Sequence, residues 1–183
     1  MHAISIEELK DENLDQFLAY LKVHLSENGD NSLFFQPISK AQSKFSPDWE
    51  TKFRVGLRKE FGEKGWRKLW IAINEENQIV GHIDIRSRNE PNTGHRVLLG
   101  MGTDSKFRNL KIGQRLIAFV IAYCKNQPDI SWLDLEVLTS NIPAIRIYKK
   151  LEFQILGSVK DMFRIENQSY DYTSMTLNVE SEA

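Results

Sequence analysis

The chain has one cysteine, Cys124, so it can form no internal disulfide, and its four histidines, at 2, 24, 82 and 95, show no zinc-type spacing. No apolar run approaches the roughly 20 residues that a bilayer-spanning helix needs. Positive charge is not in excess: 24 Lys and Arg stand against 25 Asp and Glu, a formal net charge of −1. That balance argues against a nucleic-acid binder, whose affinity rests on concentrated positive charge, but leaves room for a local basic pocket that takes a phosphorylated small molecule. The first ten residues carry Glu7 and Glu8 and lack a basic head followed by an apolar run, unlike a secretory signal. Internal repeats and low-complexity tracts are also missing. These absences describe a soluble, reduced, cytoplasmic protein without a membrane segment. What is present is ordinary for a globular domain, with 41% hydrophobic and 27% charged residues. At 183 residues a single core can bury about two-thirds of the unfolded surface without a disulfide or metal staple.

Hydrophobic periodicity divides the chain in two. Leu14, Phe17, Leu18, Leu21 and Leu25 recur at spacings of three and four, which predicts an amphipathic helix over residues 11–25. The cluster Asn28-Gly29-Asp30-Asn31-Ser32 ends it. Pro47 and Asp48 open a second helix carrying Trp49, Phe53, Leu57 and Phe61, closed by Gly62-Glu63-Lys64-Gly65. Residues 51–68 hold seven Lys or Arg against two Glu, a pattern expected of a solvated helix face. From Leu69 the period changes to that of strands. Residues 69–73 and 78–85 flank Asn74-Glu75-Glu76-Asn77 as a hairpin, and a further strand covers Arg96–Thr103. A helix at 112–126, a strand at 132–138, a helix at 143–151 and a closing antiparallel pair at 153–165 and 170–179 complete a mixed α/β domain.

The most informative stretch is Thr103-Asp104-Ser105-Lys106-Phe107-Arg108-Asn109-Leu110-Lys111-Ile112-Gly113-Gln114-Arg115. An apolar strand runs into a short polar loop, and a striped helix begins just after. Such a junction aims unpaired backbone N–H groups and the positive end of a helix dipole at one spot, which suits an anion. Gly113 admits a close backbone approach, and Arg108, Lys111 and Arg115 add positive charge. Two nucleotide motifs fail here. Gly100-Met101-Gly102 begins like a dinucleotide fingerprint, but Ser105 occupies the third glycine position, and no Gly-Lys-Ser or Gly-Lys-Thr is present.

Arg108-Asn109-Leu110-Lys111-Ile112-Gly113 resembles the Arg/Gln-x-x-Gly-x-Gly/Ala loop of the GNAT superfamily of N-acetyltransferases. Further along, Asn141-Ile142-Pro143-Ala144-Ile145-Arg146-Ile147-Tyr148-Lys149-Lys150-Leu151-Glu152-Phe153 resembles that family's second motif, Asn-x-x-Ala-x-x-x-Tyr-x-x-x-Gly-Phe. The resemblance covers roughly residues 69–179, and the helical residues 1–68 correspond to the family's variable, acceptor-facing part. It implies one domain over 1–183, with a mixed, mostly antiparallel sheet flanked by helices and a splayed parallel strand pair that holds CoA. Two residues depart from the pattern. Lys111 stands where glycine is usual; a positive φ there would cost a lysine about 1 kcal/mol, unless its ammonium faces phosphate. Glu152 replaces the glycine expected in a left-handed cap after the last helix.

The resemblance implies acetyl-CoA as cosubstrate, no metal, and contacts from Met101, Gly102, Thr103, Arg108, Asn109, Leu110, Lys111, Ile112, Gly113, Gln114, Asn141 and Tyr148. Acetyl transfer from a thioester to an amine needs a neutral amine, a donor for the tetrahedral oxyanion and a proton for the departing thiolate. By resemblance the donor is a backbone N–H near Met101–Thr103, where Gly100 and Gly102 would ease a splay; the same glycines equally suit close packing. Tyr148 is the implied acid, a phenol with an ordinary pKa near 10 that needs no tuning to serve a thiolate near 8.5. Its spacing with Ala144, Ile147 and Leu151 also fits a core position. Glu136 alternates with Leu135 and Val137, so it shares a strand face with Asp134. Leu135-Glu136-Val137, then Asn141 and Tyr148, resemble the ribosomal-protein alanine N-acetyltransferase branch, where the glutamate is the base; a solvent-facing strand glutamate is the alternative. Asn141 can also cap a helix. His82 and Asp84 share a strand face and suit a surface or partner-lining role, and Cys124 reads as inert core. The expected activity is N-acetylation of a primary amine, on a small molecule or a peptide, by a monomer or homodimer that binds neither nucleic acid nor membrane. A catalytically silent CoA-binding sensor or assembly module and a plain nucleotide-binding α/β domain are the alternatives.

Overall fold

The structure is a computed structural model and describes residues 4–30 and 33–180. His2, and Asn31 and Ser32 of the expected turn cluster, lie outside the described residues. Seven strands form one sheet: β1 (Ile4–Glu8), β2 (Arg67–Asn74), β3 (Ile79–Ser87), β4 (Arg96–Thr103), β5 (Trp132–Leu138), β6 (Gln154–Ile165) and β7 (Gln168–Asn178), in the order β1-β2-β3-β4-β5-β7-β6. Four helices flank it: α1 (Leu14–Ser26), α2 (Pro47–Gly56), α3 (Ile112–Lys125) and α4 (Ile142–Lys150). Every strand pairing is antiparallel except the central β4–β5 pair.

Two apolar layers hold this arrangement. Ile112, Leu116, Ile117 and Val120 of α3, with Ile145 and Tyr148 of α4, bury against Ile83, Ile85, Val97, Leu99, Leu133 and Leu135 on one sheet face. On the other face Phe17, Leu18 and Leu21 of α1 and Phe53 of α2 pack on Leu69, Ile71 and Ile73. Alternate residues of β2 serve both layers, as the period of a strand requires.

Three expectations are corrected. The first 68 residues are not wholly helical, because β1 adds an edge strand against β2, from Ile4 opposite Asn74 to Glu8 opposite Trp70. Only Ile4 and Ile6 alternate there beside Glu7 and Glu8, so the strand exists through pairing more than through its own pattern. The second helix stops at Gly56, one turn before Phe61. A Cβ at Gly56 would sit 2.8 Å from the carbonyl oxygen of Gly65, so the returning chain crosses at that point, and Phe61 packs instead edge-on to Trp66 at 4.9 Å. The basic run is not a single solvated helix face, since it extends past α2 through the loop into β2.

Helix α4 ends as the motif requires. Glu152 adopts φ +70°, and the Phe153 N–H returns to the Tyr148 carbonyl at 3.1 Å, closing a left-handed cap. Glutamate pays about 1 kcal/mol for that conformation. Replacement Glu152→Gly is therefore expected to stabilise the fold by about 0.5–1 kcal/mol, read from urea unfolding; a loss of stability would show that the Glu152 side chain contributes more than its backbone costs.

Candidate active site

The centre of the sheet is where the ladder opens. β4 and β5 pair only from Arg96 opposite Trp132 to Leu98 opposite Asp134, although both strands run on. Beyond Leu98, β4 remains paired with β3 as far as Thr103 opposite Gly81, with no bulge. The Asp104 N–H donates to the Val80 carbonyl, and antiparallel alternation then directs the backbone of Leu99, Met101 and Thr103 away from β3, into the gap. The parted strands thus present the Met101 N–H to the split.

At the mouth of the split the chain turns into α3. Asn109 and Lys111 both take left-handed conformations, with φ +65° and +61°. Lys111 is the N-cap residue and supplies no side-chain cap. The first helical bond runs from the Arg115 N–H to the Lys111 carbonyl, so the N–H groups of Ile112, Gly113 and Gln114 precede it. This is the anion-suited geometry expected from the sequence. Two details differ. The Arg115 guanidinium donates to the Ile4 carbonyl at 2.7 Å and so ties α3 to β1. A Cβ at Gly113 would lie 2.9 Å from Met101 Cε, so this glycine also brings α3 close to β4. Arg108 lies 3.7 Å from Glu27, at the end of α1, and Glu27 also accepts from the Ser105 hydroxyl at 2.6 Å.

Gly100 and Gly102 serve packing. A Cβ at Gly102 would overlap the imidazoles of His24 and His82, and one at Gly100 would stand 2.7 Å from both Arg86 Nη1 and Asp84 Oδ1. His24 lies between Tyr20 at 5.9 Å and Phe35 at 4.6 Å, and His82 Nδ1 is 3.2 Å from the Tyr20 hydroxyl. Asn28 sets the loop that delivers Phe35. Its Oδ1 accepts from the N–H groups of Phe35 and Gln36, and its Nδ2 donates to the Ile38 carbonyl. Burial lowers the His24 pKa to about 3, aided by His82 and Arg108, and lowers that of His82 to about 4 against the opposing pull of Asp84. Both rings are neutral at pH 7. His82 and Asp84 share a face as expected, but both are buried rather than at the surface.

The two carboxylates of β5 are not equivalent. Asp134 is buried and accepts from Arg96 at 2.8 and 2.6 Å, Arg88 at 3.1 Å and the Thr176 hydroxyl at 2.6 Å. Burial opposes its charge, but these partners hold the carboxyl below its ordinary pKa. Glu136, two residues on, is exposed and lines a cavity of about 620 Å³ together with Leu98, Arg67, Arg86, Arg88, Lys52 and Lys59. The basic run seen in the sequence therefore contributes Lys52, Lys59 and Arg67 to a cavity wall.

Tyr148 is buried in the α4 layer, 5.7 Å from Phe153. Burial, and then Tyr172, raise its pKa, so the phenol is protonated throughout the neutral range. The expectation that it needs no tuning is corrected: transfer from a phenol near 10 to a thiolate near 8.5 is uphill by about 2 kcal/mol, and burial adds to that. A buried phenol suits hydrogen-bond donation to developing charge. Tyr172, opposite Leu138 in the β5–β7 ladder, is pushed up to about 12 by burial and then by Glu136. It thus couples electrostatically to both candidate groups, and alternation within β7 alone did not single it out. Asn141 caps α4, its Oδ1 accepting from the Ala144 N–H at 3.4 Å. Cys124 is buried and its thiol pKa is pushed up to about 12, which makes it inert core.

Among the described residues no group of three or more His, Cys, Asp or Glu is placed to hold a metal, and no helix is long and apolar enough to cross a membrane. The sheet thus splits between its central parallel strands, with a bare helix end at the mouth of the split. The chain belongs to the acetyltransferase (GNAT) family, whose model matches residues 35–153. It is 30% identical over 106 residues to the L-amino acid N-acetyltransferase AaaT of Escherichia coli, an alignment that spans 58% of this chain and 64% of that protein. The yncA protein of Salmonella typhimurium, solved with its cofactor acetyl-CoA, shares the fold at 12% identity with a TM-score of 0.76, covering 99% of this chain and 96% of that one. The ribosomal-protein-S18-alanine N-acetyltransferase of Escherichia coli also shares it, at 14% identity and a TM-score of 0.71, covering 99% and 97%.

The two buried neutral histidines make stability depend on pH. In the unfolded chain each binds a proton near pH 6.5, whereas in the folded protein they do so only near 3 and 4. Their contribution is complete above about pH 6.5 and is lost as pH falls below it, because the unfolded state then binds more protons. Urea unfolding is expected to show a loss on the order of 3 kcal/mol between pH 7 and pH 5. In His24→Gln the slope falls by about one proton, whatever the substitution itself costs; an unchanged slope would show that His24 titrates normally.

Proposed function

We propose that the protein is an acetyl-CoA-dependent N-acetyltransferase that acylates a primary amine by direct attack, with no covalent enzyme intermediate. The observation that carries this reading is the split between β4 and β5, which presents the Met101 N–H at one end of a path and the N–H groups of Ile112–Gln114 at the other. A diphosphate on the loop from Arg108 to Gln114 would place an extended thioester arm between the strands. Family membership, the N-acetyltransferase activity in the name of the AaaT relative and the cofactor in the yncA structure support it.

The roles follow from position. Arg108, Lys111 and the backbone from Asn109 to Gln114 hold the diphosphate, and Lys111 offsets the cost of its backbone there by adding a cation. Asn141 orients the start of α4 and contacts the cosubstrate. The N–H of Met101, supported by Gly102 and Thr103, donates to the oxyanion. Glu136, at the cavity wall, accepts the proton of the attacking amine. Tyr148 donates a hydrogen bond to the departing sulfur, and its raised pKa leaves the final proton to come from solvent. The whole chain acts as one N-acetyltransferase domain, with residues 1–68 forming the acceptor-facing side. Release of CoA in the presence of an amine panel supports an enzyme, whereas tight CoA binding without turnover supports a sensor.

Two measurements test the assignments. Gly113→Asp places a carboxylate between the phosphate loop and Met101 at a helix end that tolerates negative charge. It is expected to weaken acetyl-CoA binding at least tenfold by calorimetry while leaving the melting temperature nearly unchanged, and unchanged affinity would remove the loop assignment. Tyr148→Phe is expected to lower kcat by roughly 10²-fold or more with little effect on CoA affinity, the scale of a lost transition-state donor. Glu136→Gln should cost less, with a defect that shrinks from about pH 6.5 to 9.5 as the amine deprotonates unaided. Parental turnover by Tyr148→Phe would leave the tyrosine a core residue only.

A further inference from the structure

The two edges of the sheet are protected very unequally. At one edge β1 has only five residues, carries Glu7 and Glu8, and gives its Ile4 carbonyl to Arg115. At the other edge β6 has twelve residues, and every one from Gln154 to Met162 is exposed. Ile155, Leu156, Val159 and Met162 keep 47%, 64%, 56% and 50% of their surface in water. No charge interrupts residues 153–159. A long edge that is apolar and uncharged is an open template for a further strand.

The placement of these side chains indicates what would cover them. Ile155 stands opposite Met175, on the sheet face that packs under α3 and α4, whereas Val159 stands opposite Tyr172, on the other face. Leu156 is the extra residue of a bulge, with no β7 residue opposite it. Apolar groups on both faces of one edge are covered together by a strand laid alongside. Beyond Lys160 the edge is closed off again. The Asp161 N–H donates to the Asp171 carboxylate at 2.9 Å, and the Asp161 carboxylate holds Arg164 and Ser169 at 2.7 Å each. Two charges bracket the open stretch, Glu152 before it and Lys160 at its end. Both are exposed, and neither side chain has an ion pair or hydrogen bond among the described residues. They are opposite in sign and lie four residues to either side of Leu156. Antiparallel pairing of this stretch with itself, about a two-fold axis at Leu156, therefore brings each Glu152 to the Lys160 of the other copy.

We infer that the protein forms a two-fold homodimer in which residues 152–160 lie antiparallel beside the same residues of a second copy. The partner is a second copy because the charges at the two ends complement each other only under that symmetry, in which one patch serves both sides. Leu156 meets Leu156 at the axis, Ile155 and Val159 are covered on either face, and the two ion pairs sit at the rim. About nine residues a side is fewer than the 20–30 of a standard interface, which places the dimer in the weak, concentration-dependent class. The inference concerns this edge alone and does not depend on the acyl-transfer reading.

Sedimentation equilibrium of the full chain from about 1 to 200 µM tests the pairing. The wild-type protein is expected to move from monomer towards dimer across that range. Leu156→Glu should raise the dissociation constant at least tenfold, with an unchanged far-UV circular dichroism spectrum. Lys160→Glu sets like charges against each other at both ends and should raise it at least threefold, as should Glu152→Lys. The double variant with both charges exchanged should return to the wild-type value, a rescue that only the antiparallel two-fold arrangement produces. A wild type that stays monomeric at 200 µM would overturn the inference. So would a dimer that withstands Leu156→Glu, or charge variants whose defects add instead of cancelling. If Leu156→Glu fails to fold, the charge variants decide by themselves.

Discussion

A single buried carboxylate sets the geometry on which the site depends. Asp134 accepts from Arg96 of β4, Arg88 after β3 and Thr176 of β7, and it stands opposite Leu98, the last β4 residue paired with β5. Alone in the core it would carry a prohibitive desolvation cost; with three charged or polar partners it becomes a clasp across the base of the split. Below it the parallel strands are joined, and above it they part. The change from paired to parted strands falls at this residue.

The floor of that opening is made of glycines for a steric reason. Gly100 leaves room for Asp84 and Arg86, and Gly102 leaves room for His24 and His82. The same two absences therefore let β3 side chains and α1 reach the surface of β4. Glu27 extends the connection, since it meets both Ser105 and Arg108 in the loop before α3. Glu27 Oε2 and His24 Nδ1 are buried and without a hydrogen-bond partner among the described residues, which marks the end of α1 as the least satisfied polar position beside the site. Helix α1 is thus attached to the sheet centre through an aromatic contact and to the loop before α3 through a charge contact.

The two candidate groups, Tyr148 and Glu136, sit in contrasting environments. Tyr148 is enclosed and keeps its proton, whereas Glu136 is open to the cavity; Tyr172 stands where both fields reach it.

Local signals were strong where chemistry and secondary structure coincide in a few consecutive residues. The stripe of α3, the loop from Arg108 to Gly113, the Asn141-to-Phe153 run and the alternation of β5 identify the family and most of the elements without any contact being known, because helix and strand periods and left-handed caps are properties of neighbouring residues. Even the departures were legible: Lys111 and Glu152 do adopt the positive φ that the motif's glycines imply. What only the tertiary structure decided is which side chains meet. The sequence put Asp134 and Glu136 on one face, but burial under Arg88 and Arg96 makes one a clasp and leaves the other free. It showed a basic run, but the crossing of Gly56 and Gly65 is what turns Lys52, Lys59 and Arg67 towards one cavity with Arg86. β1 exists because β2 offers an edge, and the histidines are neutral because α1 lies over Gly102. Such pairings join residues from 9 to 78 positions apart, and their energies depend on desolvation and distance, neither of which is a property of any short stretch of chain.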